Sequence, residues 1–503
     1  MKEELNKAQL AHAAGQVEVA LAVYRKLESA IPDWPEVRHF LGLALYQLGQ
    51  PIAGISEIKR SLCLAPDTPV FWSNFAKICS ETSERRRGIQ LAGRAAALDF
   101  RQRDAAFNLG NLLRLEGCLS AAVAIYQRAV LLHPADFEIY LNLGVAHRES
   151  GKYEKAIKAY ARCLRLSPGN ADVEYSAALC LLATGEYAEG WLGYRARFFA
   201  TINEAHATVS ASVRASRPLY SGTKARRVLV WGEQGLGDEL MFGTLLTEFA
   251  RHCPTLLLQV DRRLKSLFSH AFPRVAIFER GVPIDVALYD EQMPIGDLAH
   301  HLRPTRPSFL AHTGQYLFAD GALVRRYRGR MGLDPNQVII GISWRSSAPE
   351  TGLARTVQPE VLVSALAGLE NVVFIDLQYD SACAELETVT STSGVLIRQE
   401  PEVDNKNDLD GLAALITACD FVVTVGNATA HMAGALGKTA FVLLPKVAGW
   451  RWLHEGEYCP WYRSLTLLRQ TQSGDWRSVI QEACERIRHL RRIKSEVPDS
   501  GRI

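Results

Sequence analysis

The sequence predicts an α plus α/β architecture, in which an all-helical repeat array precedes two α/β domains. Small residues and glycines recur about every 34 residues over the first two hundred positions. Strand-like apolar runs then alternate with helix-like segments through the second half, which is typical of parallel sheets. A glycine-rich stretch, Val228–Leu240, stands where the first of these strands gives way to a helix.

Composition narrows the classes of function. The 503 residues include 57 basic and 54 acidic ones, and the formal charge of +3 indicates no broad nucleic-acid-binding surface. The ten cysteines form no C-x-x-C pair, so we expect neither a zinc site nor a redox motif, and reduced thiols in a cytoplasmic protein. The charged segment Met1–Leu5 predicts no secretory signal. Polar residues and glycines interrupt the most apolar span, Phe421–Leu444, so no transmembrane segment is expected.

Five aligned columns define the repeat. Two contain small residues that let paired helices touch, one a turn residue, one mostly an aromatic or aliphatic residue, and one mostly the proline that ends the second helix. The columns are Ala8, Gly42, Ala76, Gly110, Gly144, Ala178; Ala20, Gly54, Gly88, Ala122, Ala156, Gly190; Gly15, Gly49, Ser83, Gly117, Gly151, Gly185; Tyr24, Ile58, Ala92, Tyr126, Tyr160, Tyr194; and Pro32, Pro66, Phe100, Pro134, Pro168.

With Asn-Leu-Gly at both 108–110 and 142–144, residues 1–198 resemble the tetratricopeptide-repeat family. The resemblance implies a superhelix with a concave groove that binds a protein partner. Asn74, Asn108 and Asn142 recur on the first helices. They are candidates for hydrogen-bonding an extended peptide in the groove, or for bonding within the array.

The remaining boundaries follow from changes in composition. Residues 199–225, rich in Ala, Ser and Thr, are predicted to be a linker. Residues 226–335 and 336–475 each alternate strands and helices as Rossmann-like domains do. Residues 476–503 have helical periodicity, and we expect this helix to cross back to the first Rossmann-like domain.

The loop Gly232–Asp238 is the first candidate site. Its glycines allow the backbone to approach a ligand, and the helix that follows favours an anion at its first turn. Asp238 lies at the mouth of this crevice, where α/β sheets bind ligands. Its carboxylate is a candidate catalytic base, or a helix cap.

Four motifs in order make a resemblance more specific: Gly232–Asp238, Gly341–Trp344, Ala354–Val357 and Ala428–Gly437. Together with the repeats, they resemble bacterial tetratricopeptide-repeat glycosyltransferases, whose catalytic half is similar to lipopolysaccharide heptosyltransferases. The architecture also resembles the O-linked N-acetylglucosamine transferases. The resemblance implies a GT-B pair of Rossmann-like domains, with the acceptor against the first domain and a nucleotide-sugar against the second.

By this resemblance Asp238 is the general base that takes the proton of the acceptor hydroxyl. Glu233 is a second carboxylate in the same loop, able to orient the acceptor. The resemblance implies a basic residue at Arg355 for the nucleotide phosphates, and Arg345 is the other candidate; either Arg is alternatively a surface ion pair. The remaining predicted donor-binding positions are Gly235, Gly237, Ser343, Asn427, Ala428, Thr429, His431 and Trp452.

Two details bear on the donor. Many relatives carry Asp-Thr where this chain has Gly426-Asn427, a departure that suits a donor with its own negative charge, such as a nucleotide-activated nonulosonic acid. Asp408-Leu-Asp410 matches the D-x-D metal motif of other glycosyltransferases, but it precedes an apolar helix and is predicted to be an N-cap. We expect no metal and no cofactor beyond the nucleotide-sugar co-substrate.

The sequence therefore favours a protein O-glycosyltransferase that modifies Ser or Thr of a protein held by the repeats, with flagellin as the preferred substrate. One alternative is a lipopolysaccharide or glycan sugar transferase that uses the repeats only for docking. Another is a scaffold that has lost catalysis, which the Gly426-Asn427 departure would explain.

Overall fold

The computed structural model describes eight stretches of the chain: residues 1–82, 84–201, 213–222, 227–309, 314–331, 337–347, 352–380 and 383–496. The chain divides into two units, Met1–Val173 and Glu174–Ile503. The predicted linker 199–225 lies mostly outside the described residues, as do the boundaries predicted at 226 and at 335–336. The unit boundary falls before the end of the predicted repeat region, so residues 174–198 belong with the second unit.

The first unit consists of helices that pack in sequence order. The helices are α1 Lys2–Ala13, α2 Val17–Ala30, α3 Pro35–Gln47, α4 Pro51–Leu64, α5 Pro69–Ser80, α6 Arg85–Leu98, α7 Arg103–Leu115, α8 Leu119–Leu132, α9 Phe137–Glu149 and α10 Tyr153–Leu166, with α11 Ala171–Thr184 spanning the unit boundary. The turn column has a physical reason. Gly15, Gly49, Gly117, Gly151 and Gly185 all have φ between 71° and 82°, where a side chain would be strained. Ser83, in the same column, lies outside the described residues.

The small-residue column is explained by contact with the aromatic column. A Cβ on Gly144 would lie 2.5 Å from the Tyr160 ring, whereas one on Gly93 would meet nothing within 4 Å. We therefore expect Gly144→Ala to lower the free energy of unfolding of residues 1–173 by about 1–3 kcal/mol through overpacking. Gly93→Ala, in the interior of α6, should raise it by up to about 1 kcal/mol through helix propensity. Urea unfolding followed by far-ultraviolet circular dichroism measures both, and equal effects would contradict the packing argument.

The second unit contains two parallel sheets. In the first sheet the order is β3-β2-β1-β4, and all described pairings are parallel. The strands are β1 Arg227–Trp231, β2 Thr255–Val260, β3 Ala276–Glu279 and β4 Glu291–Pro294. The chain moves one way from β1 to β3 and then returns to the other side of β1 for β4. The switch in direction places a crevice at the carboxyl ends of β1 and β4.

The second sheet has the order β10-β9-β8-β5-β6-β7, also parallel. Its direction switches between β5 and β8, where the second crevice is expected. Buried residues such as Ile342, Phe374 and Val423 form its core. The strands are β5 Val338–Ser343, β6 Val372–Asp376, β7 Ile397–Arg398, β8 Phe421–Val425, β9 Ala440–Leu444 and β10 Leu465–Arg469.

Helices connect these strands and cover the sheets. They are α12 Tyr187–Tyr194, α13 Leu236–Gly243, α14 Leu246–Phe249, α15 Lys265–Ala271, α16 Leu298–Leu302, α17 Gly321–Arg330, α18 Gly352–Arg355, α19 Pro359–Leu366, α20 Cys383–Ser393, α21 Leu409–Ala418, α22 Ala428–Ala435 and α23 Trp476–Glu496. The predicted fold class, an N-terminal helical superhelix followed by an α/β region with parallel sheets, is confirmed.

The C-terminal helix differs from the expectation that it crosses back to the first Rossmann-like domain. In the described part of α23, the buried face, including Ile480, Ala483 and Ile487, joins the core of the second sheet. Arg488 and Arg491 also donate to the carbonyls of Gly368 and Glu370, just after α19. The helix is thus a layer of the second α/β domain, because its apolar face matches the groove beside α19.

Candidate functional site

A cavity of about 650 Å³ opens at the carboxyl edges of the two sheets. It is lined by the loops that follow β1, β5, β6 and β8, together with the segment after β9. Both topological switch points therefore contribute to its walls. Of the predicted site residues, those that line it are Gly235, Gly237, Asp238, Arg355, Asn427, Ala428, Thr429, His431 and Trp452.

Asp238 lies in the first turn of α13, and its carboxylate faces Arg451. The Nε of Arg451 donates to Oδ1 of Asp238 at 2.6 Å, and its Nη2 donates to Oε1 of Gln234 at 3.3 Å. Burial lowers the pKa of Arg451, but Asp238 and Tyr194 raise it more, so the net shift is upward. Gly235, the residue that precedes the helix, supplies no side-chain cap, and Asp238 accepts no hydrogen bond that would make it one. Asp238 lines the cavity, and its second oxygen, Oδ2, accepts no hydrogen bond from the described residues.

Glu233 does not line the cavity. Its two carboxylate oxygens accept hydrogen bonds from Arg197 at 2.7 Å each, and the backbone N–H of Gly296 donates to Oε1 at 3.0 Å. Arg197 also donates to Asp297 at 2.7 Å. Burial lowers the pKa of Arg197, and the two carboxylates more than offset this, so it rises overall. Glu233 therefore ties the loop after β1 to the segment after β4, and its predicted contact with the acceptor finds no support in this geometry.

The structure separates the two candidate arginines. Arg345 donates to Glu385 at 2.9 Å and to the carbonyl of Asp380 at 2.6 Å, and it does not line the cavity. Arg355 does line it, and no residue in the described part of the chain accepts a hydrogen bond from it. Burial, and then the nearby charge of Arg451, lower the pKa of Arg355 to about 10. Arg355 remains a cation at neutral pH, so it is the cation available to an anionic ligand.

Two helix N-termini meet at the cavity. A Cβ on Gly237, in the first turn of α13, would lie 3.0 Å from the His431 ring and 3.8 Å from Cα of Ala428. Glycine at this position thus lets α13 approach α22 closely. The residues that begin the two helices, Leu236 and Ala428, both line the cavity, and the positive dipole end of a helix favours an anion.

The Asn427 side chain both accepts and donates hydrogen bonds at the start of α22. Its Oδ1 accepts from the N–H of Ala430 at 3.2 Å and from the Thr424 hydroxyl at 3.1 Å. Its Nδ2 donates to Ser343 Oγ at 2.8 Å and to the carbonyl of Arg345 at 3.1 Å. Ser343 is fully buried and does not line the cavity, so it supports Asn427 from behind.

These contacts give the asparagine of the Gly426-Asn427 departure a structural reason. A carboxylate at position 427 could cap α22 but could not donate to the Arg345 carbonyl. We therefore expect Asn427→Asp to lower the free energy of unfolding of the second unit by about 1–3 kcal/mol, since it sets a buried acceptor against a carbonyl. Asp410→Asn, the reverse exchange at a half-buried position of α21, is the comparison, because an amide oxygen can still accept from the Ser266 hydroxyl there. Urea titration followed by tryptophan fluorescence measures both, and equal stability would contradict this interpretation.

His431 and Trp452 form one wall of the cavity. Their rings stack with centroids 4.7 Å apart and an interplanar angle of 22°, and His431 Nδ1 lies 3.3 Å from the Tyr462 hydroxyl. Burial lowers the pKa of His431 to about 3, so its imidazole is neutral at physiological pH. A neutral ring can hydrogen-bond a ligand but brings no charge to it.

Several lining residues were not singled out from the sequence. Arg451 stands between Trp450 and Trp452 in the sequence. Arg263 is held by both oxygens of Asp261 at 2.9 Å, and Lys406 pairs with Asp380 at 2.9 Å. Since Arg451 is also paired, each of these three cations has a carboxylate partner, whereas Arg355 forms no ion pair within the described part of the chain. A lone basic residue among aromatics, such as Arg451, was the available signal.

The three asparagines of the repeats bond within the first unit. Nδ2 of Asn74 contacts Nε2 of His39 at 3.0 Å, and Nδ2 of Asn108 donates to Ser73 Oγ at 2.9 Å. Asn142 instead donates to the carbonyl of Glu138 in its own helix at 2.9 Å. Of the two roles considered, the structure shows the internal one, and partner binding by these side chains stays a prediction.

Asp408 caps α21, accepting from the N–H of Gly411 at 2.9 Å, as predicted. Within the described residues, no group of three or more His, Cys, Asp or Glu is placed to hold a metal ion. None of the described helices combines the length and the apolar character that crossing a membrane requires.

Comparison with known proteins identifies the first part of the chain. The family model described as tetratricopeptide repeat matches residues 107–171 and 141–190. The N-terminal region carries tetratricopeptide repeats. This supports a protein-binding surface, since stacked repeats build extended concave faces.

The chain is also similar to Protein FlbA of Caulobacter vibrioides, with 32% identity over 329 residues. The alignment covers 61% of this chain and 53% of that protein, so the chain spans about half the length of the curated relative. Solved structures that the chain matches include MamA (22% identity, TM-score 0.29, 32% of this chain and 93% of that one) and Pseudomonas aeruginosa PilF (12%, 0.37, 43% and 97%). At these TM-scores the likeness carries no argument about function.

Proposed function

We propose that the protein is an O-glycosyltransferase that moves a sugar from a nucleotide-sugar onto Ser or Thr of a protein bound by its repeats. The observation that carries the proposal is the cavity at the two sheet edges. It holds one carboxylate, Asp238, on the side of the first sheet and, on the side of the second, the Arg355 guanidinium, which donates to no described residue. Transfer of a sugar from a phosphate requires a base and a cation at opposite ends of the reacting bond.

In the proposed reaction the acceptor hydroxyl oxygen bonds to the anomeric carbon as the bond from that carbon to the phosphate oxygen breaks. Asp238 takes the hydroxyl proton; in this structure Arg451 donates to its Oδ1, and no described residue donates to its Oδ2. The electron pair of the broken bond stays on the nucleotide phosphate. Arg355 and the N-terminus of α22 would stabilise that charge, because fixed donors need no reorganisation during the reaction.

The repeats supply the reason to prefer a protein acceptor, since tetratricopeptide repeats serve recognition of other chains. Flagellin is the first substrate to test, by the resemblance to flagellin-modifying transferases. The positive charge of Arg355 also suits donors that carry an additional negative group. Nucleotide-activated nonulosonic acids are therefore included among the donors to test. No metal is assigned a role in this scheme.

The test is transfer measured by intact mass. Purified full-length protein is incubated with flagellin and with UDP-, GDP-, ADP- or CMP-linked sugars, and the acceptor is weighed. We expect one donor to add its sugar mass, and Asp238→Asn to reduce the rate about 100- to 10,000-fold. Asp380→Asn changes a carboxylate in the same cavity and should retain most of the rate.

A second pair tests the phosphate side. Arg355→Met should weaken donor binding about tenfold to a hundredfold, because it removes charge-assisted hydrogen bonds. Arg345→Met, whose guanidinium is engaged by Glu385, should bind nearly as the unmodified protein does. Transfer to a glycan by residues 174–503 alone would instead favour a glycan sugar transferase. Full cellular function in Asp238→Asn would favour a scaffold.

A further inference from the structure

Arg451 links the two α/β domains through the cavity. It lies in the segment after β9 of the second sheet, and it binds Asp238 and Gln234 of the loop after β1 of the first. These contacts use Nε and Nη2. No described residue accepts a hydrogen bond from Nη1, so part of the guanidinium remains for a ligand, as its place in the cavity wall allows.

Arg451 and Arg355 face the same cavity and repel each other. The effect is large enough that Arg451 is, after burial, the main cause of the lowered pKa of Arg355. An anion that bridges the two guanidinium groups relieves this repulsion. The same anion is repelled by Asp238, which is bonded to Arg451 at 2.6 Å. Asp238 and the anion therefore compete for the Arg451 guanidinium.

Arg451 can change partner without leaving the cavity. Its guanidinium carbon lies 4.8 Å from the centre of the Trp450 ring, a cation–π contact that does not depend on Asp238. Trp450 is itself fixed edge-to-face against Trp191 and Tyr194, with centroids 5.5 and 5.4 Å away. The Trp450 ring thus keeps the Arg451 guanidinium in place while the guanidinium exchanges its hydrogen-bond partners.

We propose that Asp238 acts as an internal competitor for the anion-binding residue Arg451, so that an anionic ligand frees the Asp238 carboxylate when it binds. The ligand class is a phosphate or diphosphate small enough to bridge Arg451 and Arg355. The inference concerns anion binding and holds whether or not a sugar is transferred.

One consequence rests on the proposed function. If the anion is the phosphate portion of a nucleotide-sugar, the donor engages Arg451 first and leaves both oxygens of Asp238 to the acceptor hydroxyl. Binding then has a preferred order, with donor before acceptor. Until the donor binds, the Arg451–Asp238 ion pair would keep the Asp238 carboxylate from accepting the hydroxyl proton.

The experiment is titration calorimetry of the full-length protein with inorganic pyrophosphate at fixed ionic strength. The unmodified protein should bind pyrophosphate, and Arg451→Gln should bind it more weakly. Asp238→Asn should bind it about tenfold more tightly, since removal of one charge a few ångströms away acts in a partly desolvated site. Asp380→Asn, which removes a carboxylate from Lys406 in the same cavity, should change the affinity less than Asp238→Asn does.

The double variant Asp238→Asn with Arg451→Gln decides whether Arg451 mediates the effect. We expect the gain from Asp238→Asn to disappear in the Arg451→Gln background. An equal gain in both backgrounds, no gain at all, or no pyrophosphate binding by any variant would overturn the proposal. Tryptophan fluorescence shows whether Arg451→Gln folds. If it does not, the single variants decide: an equal gain in pyrophosphate affinity from Asp238→Asn and Asp380→Asn would overturn the proposal. A gain in affinity confined to Asp238→Asn would support it. Absence of sugar transfer leaves these affinities unaffected, so the two proposals fail separately.

Discussion

Arg197→Met is expected to lower the free energy of unfolding of the second unit by about 3–5 kcal/mol, because it removes the cation from buried Glu233. Asp297 keeps only its longer contact with Arg195. The Arg197 side chain is 2% exposed, and those of its partners Glu233 and Asp297 are 6% and 8% exposed. It also donates to the carbonyl of Tyr194 at 3.0 Å. Methionine fills a similar volume but satisfies none of these oxygens.

Arg195→Met is the matched control for this prediction. Arg195 lies two residues earlier, is 42% exposed, and contacts Asp297 at 3.4 Å. An ion pair with an exposed cation contributes little, about 1 kcal/mol or less. Urea unfolding followed by tryptophan fluorescence suits the comparison, because seven of the nine tryptophans lie in the second unit: Trp191, Trp231, Trp344, Trp450, Trp452, Trp461 and Trp476. A loss from Arg197→Met no larger than that from Arg195→Met would contradict the buried-charge argument.

The second large effect is on acid stability. Burial lowers the pKa of His431 from 6.5 to about 3, so between these values the unfolded chain binds a proton that the folded chain does not. Neutral His431 therefore makes its full contribution to the free energy of unfolding above pH 6.5. This contribution is lost as the pH falls toward 3. By linkage the loss at pH 4 is about 3 kcal/mol.

Comparison with His431→Gln isolates this contribution. Burial raises the pKa of Glu239 from 4.5 to about 7, which shifts stability in the opposite direction over part of the same range. That contribution is common to both proteins and cancels in their difference. We expect the gap between their unfolding free energies to change by about 3 kcal/mol from pH 7 to pH 4. His252→Gln, an exposed change, should follow the unmodified protein, and a constant gap for His431→Gln would contradict the prediction.

The sequence predicted the elements whose signal is local. The repeat columns were readable because each turn requires a left-handed glycine and each helix pair a small residue. β2, Thr255–Val260, has a local signal because four of its six residues are apolar. β4, Glu291–Pro294, has no such signal, since it is short and polar. Its Gln292 is buried by accepting from the Trp231 indole at 2.6 Å, a contact that periodicity does not show.

The site follows the same rule. The glycine loop and Asn427 were found because strand-to-helix turns have a composition of their own. Arg451 was not, because its partner Asp238 is 213 residues away and only the folded chain brings them together. Likewise Arg355 was the candidate that the resemblance implied and Arg345 the other one, and the structure pairs Arg345 with Glu385. Pairing decides which charge is available, and pairing is a property of the fold.

The position of the unit boundary has a consequence for how repeat arrays can be exchanged. Trp191 donates its indole N–H to the carbonyl of Arg303 at 2.8 Å, and Arg197 binds both carboxylates described above. A chimera that joins a foreign array at residue 198 would remove these anchors along with the native repeats. A chimera joined near Val173 keeps these anchors. A foreign repeat array joined there would replace the native repeats without changing the residues around the cavity.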